Sequence, residues 1–203
     1  MDIIVVFLFS YLSGSIPFGY ILTKNFGKTD VRKIGSGNIG ATNVLRTGNK
    51  LLALLTLMLD IIKGYLPVMI ALKYFPELVQ LSSLIVFLGH IFPIWLKFKG
   101  GKGVATYLGI LFALSLQLSL IFMFTWLVVS LIFKYSSVSS IFSSITVFAV
   151  TIIKDNALKS IYPDIDIGND MILILFIFSI MIIFTHRKNI SNLKNKTEQK
   201  IKI

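Results

Sequence analysis

Gly103–Phe133, GVATYLGILFALSLQLSLIFMFTWLVVSLIF, is the stretch on which the topology turns: 31 residues without one charged side chain. A helix that crosses a bilayer needs about 20 mostly apolar residues. The run is long for one crossing and short for two, with a polar break around Ser115, Gln117 and Ser119. Outward from it, uncharged runs cover Ile3–Thr23, Leu78–Leu96, Ser136–Ile153 and Met171–Thr185, and Leu51–Leu72 is interrupted only by Asp60 and Lys63. Charge decides the parity. With two passes in 103–133, the loop from Lys24 to Lys50, the segment Lys97–Lys102, Lys134 and the tail after His186 fall on one face, which then holds 16 of the 20 Lys/Arg residues and, of the acids, only Asp30 and Glu198. The other face collects Asp2, Glu77, Asp155, Asp164, Asp166 and Asp170. Cytoplasmic loops carry the Lys/Arg excess, so a single pass would put the basic tail outside, against that bias.

The expected fold is therefore an all-α, polytopic integral membrane protein with about seven transmembrane helices, N-terminus outside and C-terminus cytoplasmic. Residues 1–190 read as a single helical domain and 191–203 as a basic cytoplasmic tail, unstructured or lying on anionic headgroups, with no chemistry assigned. Composition agrees: 203 residues are 55% hydrophobic and 14% charged, with mean hydropathy +0.84, against roughly 25% charged in soluble domains. Cytosolic enzymes, secreted scaffolds and disordered chains are excluded. The net charge of +11 belongs to membrane topology, and nucleic acid is not an expected partner. The chain has no cysteine and only His90 and His186, so thiolate, iron–sulfur and His-rich metal sites are out. Met1-Asp2-Ile3-Ile4 lacks a basic leader, and the first apolar run reads as an uncleaved helix.

Polar chemistry collects on the basic face. In Lys33–Arg46 (KIGSGNIGATNVLR), Gly35, Gly37 and Gly40 permit close backbone approach, while Ser36, Asn38, Thr42, Asn43 and Arg46 add side-chain donors. Successive N–H groups in such a turn form an anion-binding concavity. The glycines match G-x-G-x-x-G, but no strand precedes them and no βαβ unit follows, so a dinucleotide site is rejected. In Lys97–Thr106 (KFKGGKGVAT), Lys102 sits between Gly101 and Gly103 at the start of a helix. The P-loop glycine and Ser/Thr are missing, which rejects a nucleotide triphosphatase, and a cation beside a glycine turn remains as an anion site. Ser136–Ser140 and His186 with Asn189 lie at further helix boundaries; taken alone, they read as caps and solvated interface groups. Asp60 and Lys63 read as a structural ion pair with Lys63 reaching toward the site, and His90 as a hydrogen-bonded packing residue.

At these residues the chain resembles the bacterial acyl-phosphate:glycerol-3-phosphate acyltransferases (PlsY). The resemblance is carried by Ser36-Gly37-Asn38-Ile39-Gly40-Ala41-Thr42-Asn43-Val44, by Gly89-His90 through Thr106, by Gly14–Gly19 and by His186-x-x-Asn189, and it runs over essentially the whole length. It implies a plasma-membrane enzyme that makes lysophosphatidic acid from acyl phosphate and glycerol 3-phosphate, without cofactor or metal, with its active site facing the bacterial cytoplasm. Catalytic roles are implied for His186, Ser36 and Lys102, and substrate contacts for Ser36, Arg46, Lys102, one serine of Ser136–Ser140, taken as Ser137, and for His186 and Asn189. Gly37, Asn38, Gly40, Thr42, Asn43, Gly101 and Gly103 join the expected substrate-binding set through the glycine segments. The sign of the charge agrees, because both substrates carry phosphate and the inner face offers cations. A metal-dependent lipid phosphotransferase would need clustered aspartates, and neither histidine has an acid five residues on, as acyl-CoA-using acyltransferases do. The alternative is a transporter or binding protein for a phosphorylated solute, which would place its polar groups near the bilayer midplane between repeats.

Overall fold

The computed structural model describes residues 1–161 and 169–201, and the described residues form helices joined by turns. The acidic stretch containing Asp164 and Asp166, which the charge argument puts on the outer face, lies outside them. Residue contacts divide the chain into two compact units, Met1–Leu116 and Gln117–Ile203.

The first unit opens with α1 (Asp2–Ser15) and α2 (Phe18–Asn25), one apolar run broken at Ile16-Pro17. Proline disfavours helical backbone in the residue before it, and Ile16 is extended accordingly (φ −62°, ψ 115°). The short α3 (Ala41–Leu45) follows, then α4 (Lys50–Tyr74), α5 (Val79–Ile91) and α6 (Val104–Leu114). These helices meet at small residues, because lipid-immersed helices gain their contact from close packing rather than from expelling water. Gly14 of α1 lies against the Val86 carbonyl of α5, and Gly89 of α5 against the Tyr11 carbonyl of α1. Gly64 of α4 and Gly109 of α6 pack likewise on the backbones of Thr106 and Ile61. A side chain at any of the four would collide with main chain.

The second unit contains α7 (Leu116–Phe133, from its second residue on), α8 (Ser136–Ile161), α9 (Asn169–Thr185) and α10 (Arg187–Lys194). α8 and α9 are joined by Ser179 Oγ donating to the Ser144 carbonyl (3.0 Å) and by Phe148 against Phe176, with ring centroids 5.3 Å apart. Trp126 Nε1 on α7 donates to Ser140 Oγ on α8 at 3.2 Å.

Five helices or helix pairs among the described residues are long and apolar enough to cross a membrane, and six if α9 and α10, bent by 53°, are counted as one span. The deciding run 103–133 is indeed interrupted, at Ser115. Its first part, α6, has 11 residues, about 16 Å at 1.5 Å per residue, against a hydrocarbon core of about 30 Å.

Candidate active site

Three polar segments hold the residues expected to carry the chemistry. The loop before α3 is organised by one buried side chain, Asn43. Its Nδ2 lies 2.9, 3.0 and 2.7 Å from the carbonyls of Val31, Ile34 and Asn38, and its Oδ1 accepts from the Ser36 N–H at 3.0 Å and from Arg46 Nη1 at 3.3 Å. Gly35, at φ +52°, leaves no room for a side chain between Asn43 and Arg46, so the guanidinium stem lies directly on the loop. This changes one expectation. The N–H groups of Ser36, Gly37 and Gly40 are committed inside the loop, to Asn43 Oδ1, the Ile34 carbonyl and Asn38 Oδ1, because a tight turn satisfies its own donors before it offers them to a ligand. Asn43 is thus the keystone of the loop, with the Ser36 backbone and the Arg46 guanidinium both held on its Oδ1. The loop is entered through a short turn at Val31–Lys33, where Asp30 receives Arg32 Nε and Nη2 at 3.0 and 2.7 Å. The Arg32 guanidinium beside Asp30 holds its carboxyl down at about 2, and Arg32 stacks over Tyr20 at 4.3 Å.

The lysine turn is held from outside. After α5 ends at Ile91 the chain leaves through Lys97 and Phe98, both with positive φ (52° and 61°), and folds back so that Gly100 N and Gly101 N donate to the Ile91 and His90 carbonyls at 3.0 and 3.1 Å. These bonds satisfy carbonyls that a helix end leaves unpaired. They bring Lys102 to the start of α6 beside the end of α5. Gly101 is packed on His90 Nε2, and Gly103, at φ +84°, on the Phe87 ring, so neither position accepts a side chain. His90 is buried, with Nδ1 3.0 Å from Thr106 Oγ1, the packing role expected of it. Lys63 meets Asp60 at 2.7 Å, as the i, i+3 spacing predicts, and also donates to the Ile16 carbonyl.

In the second unit, His186 sits buried at the bend between α9 and α10. Its Nδ1 lies 2.8 Å from the Ile182 carbonyl. A carbonyl only accepts, so Nδ1 carries a proton in this bond. Of the serine cluster, Ser139 and Ser140 donate back to carbonyls of the preceding turn, whereas Ser137 donates to Glu198 Oε1 at 3.2 Å. Asn189, also buried, donates to the same oxygen at 2.6 Å, and Asn192 to Glu198 Oε2 at 3.3 Å. Of the two readings of the tail, the unstructured one is corrected for residues 191–201: α10 runs to Lys194, Glu198 gathers three side chains, and Ile201 N donates to the Lys134 carbonyl at 2.8 Å. Glu198 was missed as a structural centre, although it is the one acid in a tail otherwise basic.

The sequence model described as Glycerol-3-phosphate acyltransferase matches residues 4–196. Relatives carrying that name include one from Pelagibacter ubique, 53% identical over 203 residues and the full length of both chains, and one from Mesorhizobium japonicum, 48% identical over 98% of this chain and 96% of the relative. Among solved structures, the glycerol 3-phosphate form of PlsY (YgiH), an integral membrane glycerol 3-phosphate acyltransferase, is similar with a TM-score of 0.90 at 34% identity, covering 100% of this chain and 96% of that one. Its lysophosphatidic acid form gives 0.86 at 33%, covering 98% and 95%. Full-length matches at this identity leave one conclusion: the chain belongs to the glycerol-3-phosphate acyltransferase family.

Proposed function

We propose that this protein transfers a fatty acyl group from an acyl phosphate to the 1-hydroxyl of glycerol 3-phosphate, forming lysophosphatidic acid and inorganic phosphate, the first step of phospholipid synthesis. The observation that carries the reading is the full-length correspondence to a protein solved with glycerol 3-phosphate and with lysophosphatidic acid, substrate and product of one acylation. In the transfer, the hydroxyl oxygen forms the ester bond to the acyl carbon while the bond from that carbon to the phosphate oxygen breaks. Phosphate is already a good leaving group, so strong acid catalysis is unnecessary. What remains is positioning, which contributes up to about 7 to 11 kcal/mol when the geometry is right.

Roles follow from the charge and donor chemistry of each segment. Lys102 and its turn receive the donor's phosphate, while Ser36 and Arg46 hold glycerol 3-phosphate, with the guanidinium fork matched to phosphate. The Asn43-centred loop, with Gly37, Asn38, Gly40 and Thr42, holds those two side chains in place. Ser137 and Asn189 exchange the Glu198 carboxylate for substrate oxygens, which accept the same donors. The hydroxyl proton goes to His186 Nε2 or to the substrate's phosphate, and no metal is required. The protein acts in the bacterial inner membrane through seven crossings, α1 with α2 forming the first and the short α6 together with the turn at 97–103 the fourth. The N-terminus lies outside and the active site and C-terminus face the cytoplasm, an orientation supported by 16 of 20 basic residues on one face.

Purified protein given glycerol 3-phosphate and palmitoyl phosphate with EDTA present is expected to release lysophosphatidic acid and phosphate in equal amounts, with palmitoyl-CoA inert. Folded protein that forms no lysophosphatidic acid from palmitoyl phosphate refutes the donor assignment. The chain lacks cysteine, so single cysteines at Glu77 and Lys196 test the orientation: an impermeant maleimide labels only the first from outside intact cells.

A further inference from the structure

We infer that the buried Asp60–Lys63 pair is a positioning device that sets both phosphate-handling segments of the first unit, the Asn43-centred loop and the Lys102 turn. The inference rests on the acyl-transfer reading above.

Lys63 Nζ lies 2.7 Å from Asp60 Oδ1 and donates to the Ile16 carbonyl at 2.7 Å, with both side chains of the pair 3% exposed. Ile16 is where Pro17 breaks the first span. The carbonyl there accepts the Phe18 N–H at 3.1 Å and takes Lys63 as its second donor. The Lys63 ammonium also sits 5.7 Å from the Phe18 ring just past the break. One residue further on, Gly19 packs directly on the Ile39 carbonyl, which belongs to the loop carrying Ser36 and Arg46. The angle at the break therefore fixes where the loop rests.

The other arm runs through Asp60. Its Oδ1 is 3.9 Å from His90 Nδ1, which is 3.0 Å from Thr106 Oγ1. His90 in turn holds Gly101 twice, by its carbonyl accepting from Gly101 N and by its Nε2 lying against the Gly101 backbone. Gly64, next to Lys63, packs on the Thr106 carbonyl. One i, i+3 pair thus reaches the break that seats the loop and the histidine that seats the turn. Burying an ion pair is costly, and replacing one by apolar side chains of similar volume is often neutral or stabilising. Stability alone is a poor reason for this pair, and positioning is the role its contacts describe.

The test uses full-length protein in detergent, with thermal unfolding and initial rates measured while glycerol 3-phosphate and palmitoyl phosphate are varied separately. Inactive wild type would refute the acyl phosphate reading and leave this inference to be read from glycerol 3-phosphate binding to the same variants. The double variant Asp60→Leu/Lys63→Met is expected to unfold at or above the wild-type temperature yet lose at least about 10-fold in kcat/KM, with KM raised for both substrates. Lys63→Arg, which keeps a cation for both contacts, is expected to recover most of that loss. A double variant as stable as wild type with kcat/KM within about twofold of it overturns the inference. Should the double variant not fold, Thr106→Val decides. It removes the hydroxyl beside His90, and is expected to raise KM for palmitoyl phosphate at least about threefold while leaving KM for glycerol 3-phosphate unchanged. Unchanged KM for both refutes the Asp60 arm and with it the inference.

Discussion

The loop at 33–46 and the turn at 97–103 read alike as strings, each with three glycines and flanking cations, but they are held in opposite ways. The loop is supported from within, its carbonyls and N–H groups converging on Asn43 no more than 12 residues away. The turn is supported from without, by the last carbonyls of α5 and by His90 and Phe87 under its glycines. A self-contained loop keeps its shape with neighbours altered, whereas a turn seated on a helix end inherits any movement of that helix. Glycines serve different ends in the two: in the loop Gly35 lets Arg46 lie flat, and in the turn Gly101 and Gly103 let backbone sit on rings.

The comparison breaks most sharply where each segment presents its cation. Arg46→Ala and Lys102→Ala are each expected to lower kcat/KM at least about 100-fold, close to 2.7 kcal/mol of transition-state stabilisation, in protein that still unfolds cooperatively; near-normal turnover by either removes its segment from the site. Glycine replacements come next. Gly101→Ala drives a Cβ into His90 and is expected to yield little folded protein or to cost at least about 10-fold in activity, while at Gly40 the nearest atom to an added Cβ is Asn38 Oδ1 at 3.3 Å, so Gly40→Ala should stay within about threefold of wild type. Equal penalties at the two positions would mean that the difference in support has no functional weight.

Asn43→Asp sharpens the contrast from the other side. It sets a carboxylate oxygen against three carbonyls that now face an amide, so the loop should loosen while the turn stays intact. The expected signature is faster tryptic cleavage after Arg32, Lys33 and Arg46 and a raised KM for glycerol 3-phosphate, with the unfolding temperature little changed. The smallest effect belongs to Asp30→Asn. Because Arg32 lowers the Asp30 carboxyl from 3.8 to about 2, the pair's contribution is fully present above pH 4 and is lost as pH falls through about 2. Asp30→Asn is therefore expected to cost under about 1 kcal/mol at neutral pH, as partly exposed pairs do, and to leave the activity profile between pH 5 and 9 unshifted.

The loop was largely legible in the sequence, because its glycines, its asparagines and Arg46 lie within one short segment and turn chemistry is local. The use of its N–H groups was not, since the residues that offer donors to a ligand are the same ones that satisfy the turn, and only coordinates show that Ser36, Gly37 and Gly40 have closed theirs. The pairing of Asp60 with Lys63 followed from i, i+3 spacing; the reach of Lys63 to Ile16, 47 positions back, did not. Glu198 was hidden for the same reason, its partner Ser137 being 61 positions away.

By itself the sequence determined the solvent this chain lives in, the helices and most of their limits, the break at Ser115, the basic glycine-rich segments and the family resemblance. These rest on properties summed residue by residue or over a few neighbours: hydropathy, charge, backbone preference and motif spacing. The tertiary structure alone decided what seats these groups: Asn43 closing its loop, His90 under Gly101, Lys63 at the broken first span, Glu198 gathering Ser137, Asn189 and Asn192. A hydrogen bond depends on a separation of about 3 Å, and for groups tens of residues apart only the packing of helices sets that separation.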